Sequence, residues 1–106
     1  MKINDEFGVT PAELATIQDE ANRLESLGYT VSDITVKFIS APVNGLAGGN
    51  TILIHPNQDL AELRFTVAHE IGHHNAPKIG LDIWDETTWD TYQVNEDFAN
   101  WFAANV

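Results

Sequence analysis

The sequence predicts an α+β domain in which a small antiparallel sheet packs with three helices. Two observations carry that expectation. Three helix-opening signatures, Thr10-Pro11-Ala12-Glu13, Asp59-Leu60-Ala61-Glu62 and Asp90-Thr91-Tyr92-Gln93, each lead into residues with helical apolar spacing. Between the first two, residues 29–55 read as β-type sequence cut by turn residues. The chain has 106 residues, 43% of them hydrophobic. That fits a single domain over 1–106 with a modest core. No repeat, low-complexity tract or linker divides it.

Residues 1–9 read as a poorly ordered lead-in, with Phe7 and Val9 able to tuck against the body. The first helix should span about 11–27, with Pro11 in its first turn and Gly28 as its stop. Leu14, Ile17, Ala21 and Leu24 form its apolar stripe, and Asp19, Glu20, Arg23 and Glu25 read as solvated surface. From Tyr29 to Ile39 the pattern alternates, with Ile34, Val36 and Phe38 on one side. Turn residues at 42–45 and 48–50 bracket a short second strand at 45–48, and Thr51–His55 is a third. Short connections predict antiparallel pairing, with one edge free to take an extended peptide. His55 reads as surface.

The central helix should run from about 60 to 74, ended by Asn75 and Pro77. At 100° per residue, Leu60, Leu63, Val67 and Ile71 form its core face, and His69 and His73 fall on the opposite side. Ala61, Ala68 and Gly72 form a small-residue edge that admits another helix. Residues 76–89 read as a loop whose Ile79, Leu81, Ile83, Trp84 and Trp89 cover the core. In the last helix, Val94, Phe98, Trp101 and Phe102 make the apolar face. Tyr92, Glu96, Ala99, Asn100 and Ala103 make the other.

The formal charge is −11, and no basic residue follows Lys78. Such a surface disfavours nucleic-acid binding; it reads first as plain solubility, and through electrostatic steering it would favour a basic partner or substrate. There is no cysteine, so disulfides and thiolate-bound zinc are excluded. No apolar run approaches the length of a membrane span, and the first residues lack a signal-peptide core. A cytoplasmic location is the default expectation.

The stretch Phe65–His74 carries the chemistry. It contains His69-Glu70-x-x-His73. Histidines four apart on a helix sit one above the other and can grip one metal ion, zinc being suited to neutral imidazole. Glu70 stands beside the open coordination position, placed to take a proton from water. Catalytic zinc commonly has three protein ligands, so one more is needed. His74 lies about 140° from His69 by helical geometry and is a poor co-ligand. A carboxylate from a later helix must complete the site, and Glu96 is the best candidate. Asp82, Asp85 and Glu86 are weaker candidates from the loop, and Asp97 points 100° away from Glu96. Asn100, one turn after Glu96, is placed to accept a hydrogen bond from a ligand histidine. Tyr92, one turn before it, is a candidate donor to a developing oxyanion.

Phe65-Thr66-x-Ala68-His69-Glu70-x-Gly72-His73, followed by Glu96-x-x-Ala99-Asn100-x-Phe102-Ala103-Ala104, resembles the ImmA/IrrE-type metallopeptidases. The resemblance covers about 50–106. It implies a zincin-like, gluzincin-type fold with His69, His73 and Glu96 as zinc ligands and Glu70 as general base. It also implies a protein or peptide substrate, since members cleave or regulate helix-turn-helix repressors of phages and mobile elements. Family members often continue past the glutamate helix with a Leu-Leu-Met-Pro-like segment, where this sequence stops at Val106. Its size resembles the minimal single-domain gluzincins, so a stand-alone catalytic core is expected. Two other readings differ in class. One is a metal-binding module that contacts a repressor without cutting it. The other is an acidic nucleic-acid mimic, whose binding would survive loss of His69 and His73.

Overall fold

A computed structural model of the chain describes residues 1–4, 9–40, 43–56, 58–77 and 89–106, with the side chains of 89–92 outside that description. The elements are β1 (Lys2–Ile3), α1 (Pro11–Ser26), β2 (Thr35–Phe38), β3 (Gly45–Gly48), β4 (Thr51–Ile54), α2 (Leu60–Asn75) and α3 (Trp89–Asn105). This is an α+β fold, and the helix limits lie within a residue or two of those expected. The loop residues Ile79, Leu81, Ile83 and Trp84 lie outside the described residues. Among those described, no helix is long and apolar enough to cross a membrane.

Helix α1 begins on a reciprocal box, in which Thr10 Oγ1 accepts from Glu13 N–H and Glu13 accepts from Thr10 N–H. It closes at Gly28, where Gly28 N–H bonds the Glu25 carbonyl and Tyr29 N–H the Leu24 carbonyl. Helix α2 begins on Asp59, whose carboxylate accepts from Glu62 N–H.

The sheet corrects the antiparallel expectation. Among the described residues it has four strands in the order β1-β2-β4-β3. β1 pairs parallel with β2, and β2 parallel with β4, while only β3 and β4 form an antiparallel pair. The residues between Phe38 and Gly45 are enough for the chain to skip one strand position and return. Composition explains the order. Val36, Phe38, Ile52 and Ile54 are all buried, so their strands occupy the centre. Gly45-Leu46-Ala47-Gly48 has little to bury and lies at the edge. β1 also corrects the expected loose lead-in over residues 1–4, since Lys2 N–H and Asn4 N–H bond the carbonyls of Ile34 and Val36; Val9 is buried, and Phe7 lies outside the described residues.

Helix α2 packs on β3 and β4, and α1 and α3 pack on α2. The core joins Ile17, Ala21 and Leu24 of α1, the four sheet residues, Leu63, Val67, Ala68 and Ile71 of α2, and Phe102. Leu60, expected on the core face of α2, is exposed. Glu20 is a second correction. It is 3% exposed, with Arg23 and Arg64 at 2.8 and 3.2 Å. Burial pushes its carboxyl up, but Arg23 and then Arg64 outweigh this and hold it below the ordinary range. Its position beside the Ala21 and Leu24 stripe puts it under α2, a tertiary contact that helix periodicity does not contain.

Helix α3 is rotated from its expected face. Val94 and Trp101 are 46% and 56% exposed, whereas Asn95, Ala99 and Phe102 are buried. The small edge of α2 causes this. A Cβ on Gly72 would lie 3.0–3.2 Å from three Phe102 atoms, so α3 approaches there with Ala99 and Phe102 inward. The ring cannot retreat, because Tyr29 meets it edge-on at 4.8 Å. Gly72→Val should therefore lower the unfolding free energy by about 1–3 kcal/mol, measured by urea titration. Unchanged stability would mean that α3 does not rest on this glycine.

Candidate metal centre

One turn of helix brings the two motif imidazoles edge to face, with ring centroids 4.8 Å apart and planes at 79°. Helix α3 brings the Glu96 carboxylate across both. Its Oε2 lies 3.2 Å from His69 Nε2 and its Oε1 3.0 Å from His73 Nε2. The donor atoms of His69, Glu70 and His73 also fall within 4.8 Å of one another.

Glu70 is 3% exposed. Burial, and then the charge of Glu96, push its carboxyl up to about 8. His69 moves the other way. Burial and the neighbouring His73 lower its pKa, against opposing contributions from Glu96 and a hydrogen bond to Asn100. That hydrogen bond ties Asn100 to His69. Lowering the pKa favours the neutral imidazole, the form that binds metals.

The donor set can be tested against zinc. With bonds of about 2.0–2.2 Å, neighbouring donors on a tetrahedral ion lie about 3.4 Å apart. The 3.0 and 3.2 Å separations between Glu96 and the imidazoles are close to that spacing. Two nitrogens and a carboxylate, with no cysteine in the chain, form a donor set that suits zinc and leaves a position open. The residues therefore fit the ion.

The other acidic and histidine candidates lie elsewhere. Asp97 is exposed and accepts from Gln93 Nε2 at 2.8 Å, so Gln93 is engaged along the helix. His74 is buried with both ring nitrogens on other partners: Nδ1 is 3.3 Å from the Gly49 carbonyl and Nε2 3.0 Å from Asp33 Oδ1. It ties the β3–β4 turn to the segment before β2. The Tyr92 side chain, and Asp82, Asp85 and Glu86, lie outside the described residues.

An open cleft of about 700 Å³ runs between β3, α2 and α3 and takes in all four site residues. β3 lines one side with its outer edge unpaired among the described residues. Gly45 permits this close approach, since a Cβ there would lie 2.8 Å from Thr66 Cγ2 and 2.9 Å from Glu70 Oε2. Sequence reasoning missed two residues that frame this contact, Gln58 and Gly45. Each reads locally as loop or turn, and the partners of each lie in other elements.

The family model for the IrrE N-terminal-like domain, Peptidase M78, matches residues 18–106. No curated protein matches the chain. The match covers the motif helix, the glutamate helix and the whole cleft between them, and the chain belongs to the IrrE N-terminal-like domain family of peptidases.

Proposed function

We propose that the chain is a zinc-dependent peptidase acting on a basic regulatory protein, of the helix-turn-helix repressor class that the family resemblance implies. One observation carries this reading. A single carboxylate, Glu96, reaches both motif imidazoles while Glu70 waits at the same cleft. His69, His73 and Glu96 are the proposed ligands. Bound there, zinc would polarise the scissile carbonyl and lower the pKa of water. Glu70 takes the proton of the attacking water and delivers it to the amide nitrogen as the C–N bond breaks. A nearby dication favours the ionised carboxylate and so reverses the push toward 8. Asn100 orients His69 through their hydrogen bond. Tyr92, one turn before Glu96, is the proposed oxyanion donor.

The cleft suits an extended chain. The free edge of β3 offers backbone donors and acceptors. Val43, Leu46 and Phe65 are exposed along it, and no Lys or Arg is among its described lining residues. With a net charge of −11, this favours apolar side chains in a basic polypeptide. In a competing peptide pool, a bulky apolar residue beside the cleaved bond should raise kcat/KM about tenfold over Ser or Asp. Equal rates across the pool would refute that preference.

The reading is tested by incubating zinc-loaded and chelator-treated protein with unstructured basic peptides and with a helix-turn-helix repressor. Fragments should appear only with zinc, by mass spectrometry. A stable repressor complex without fragments would replace the peptidase reading with that of a binding module.

A further inference from the structure

We infer that Gln58 is a positioning residue, clasping the open end of the β3–β4 hairpin to α2 and so holding the edge strand against Glu70. Its bearing on catalysis rests on the peptidase reading above. Gln58 precedes the cap of α2 and is buried. Its Nε2 donates to the Asn44 carbonyl at 3.0 Å and to the His55 carbonyl at 2.9 Å. Asn44 immediately precedes β3 and His55 immediately follows β4, and His55 N–H itself donates to the Asn44 carbonyl at 2.9 Å. The Gln58 side-chain Oε1 accepts from Thr66 Oγ1 at 2.6 Å. The orientation of this amide is determined by its partners. Turned over, its oxygen would face two carbonyl oxygens and lose both bonds.

The two ends of the clasp lie next to the working residues. Asn44 adjoins Gly45, and Thr66 stands one turn before Glu70. A Cβ at Gly45 would come within 2.8 Å of Thr66 Cγ2 and 2.9 Å of Glu70 Oε2, so the strand backbone rests directly on both side chains. Contact sets how near β3 can come, and Gln58 stops it from leaving. Without the amide, two carbonyls and one hydroxyl lose a buried partner and the hairpin end opens locally. His69, His73 and Glu96 belong to α2 and α3, so their mutual geometry does not depend on this clasp. Loss of Gln58 should therefore damage turnover without damaging zinc binding.

Gln58→Met retains an unbranched chain of similar reach and removes all three bonds, whereas Thr66→Val replaces the hydroxyl with a methyl and removes one. Backbone amide exchange of the metal-free protein should quicken about tenfold at 44–48 in Gln58→Met while α1 keeps its wild-type rates. For the zinc-loaded protein, kcat on a peptide cleaved by wild type should fall about tenfold to a hundredfold, with zinc affinity unchanged. Thr66→Ser, which keeps the hydroxyl bond to Gln58 but gives up the Cγ2 contact with β3, should retain more kcat than Thr66→Val, and Gln58→Met should cost less in the Thr66→Val background than alone. Unchanged exchange at 44–48 overturns the clasp. Faster exchange with unchanged kcat, or equal acceleration in α1, overturns the positioning role. If Gln58→Met does not fold, the Thr66 pair decides through the same two readouts. A wild-type protein that binds zinc and cleaves nothing refutes the peptidase reading instead, and exchange still decides the clasp.

Discussion

Glu70→Gln is expected to lower kcat/KM by about two to four orders of magnitude while zinc affinity changes little. The glutamine keeps the size and polarity of the side chain but cannot take a proton from water. It should also fit the site without strain, because Glu70 is buried in surroundings that already favour a neutral carboxyl. None of the proposed ligand atoms changes. Peptide cleavage and zinc titration on the same preparation check the two halves together. Equal activity in both proteins would remove Glu70 as general base and leave metal binding standing.

The same buried carboxyl predicts a pH dependence in the metal-free protein. Its folded pKa of about 8 lies above the ordinary 4.5. Between those values the folded chain holds a proton that the unfolded chain releases, so stability falls as pH rises. His69 acts in the opposite direction below its ordinary value of 6.5, because its folded pKa is lowered. Above 6.5 the His69 contribution fades and Glu70 gives the larger effect. Between pH 6.5 and 8.5, urea unfolding should show a loss of roughly 2 kcal/mol, at about 1.4 kcal/mol per pH unit up to the Glu70 pKa of about 8. That is a large share of a typical small domain's stability. Glu70→Gln should remove the dependence and be the more stable protein at pH 8.5. Parallel curves for the two proteins would contradict the raised pKa of this buried carboxyl. The two predictions are linked, since the buried carboxyl that sets the pH dependence is also the group proposed to move the proton.

How much of this was legible in the chain depended on how local the signal was. The starts of α1 and α2 are fixed by contacts three residues apart, Thr10 with Glu13 and Asp59 with Glu62. Such contacts can be read directly. The stripe of His69 and His73 follows equally from helix geometry. Strand order was not legible, because two parallel pairings join segments separated by α1 or by β3. Alternation indicates which face of a strand is buried but not which strand lies beside it. Glu20 looked solvated because its partner Arg64 comes from another helix. The rotation of α3 followed from the space above Gly72, where Phe102 enters and leaves Trp101 outside. Gln58 carried no periodic signal, since its bonds run to two loop carbonyls and to a hydroxyl on a helix face.

On the proposed reading, α2 and α3 jointly hold one divalent ion. X-ray absorption spectroscopy of the zinc-loaded chain reports its ligands. One zinc per chain is expected, with about four nearest neighbours near 2.0–2.1 Å, two of them imidazoles, and loss of the bound ion in Glu96→Ala. Zinc bound well below one equivalent, or a spectrum without imidazole ligands, would contradict it.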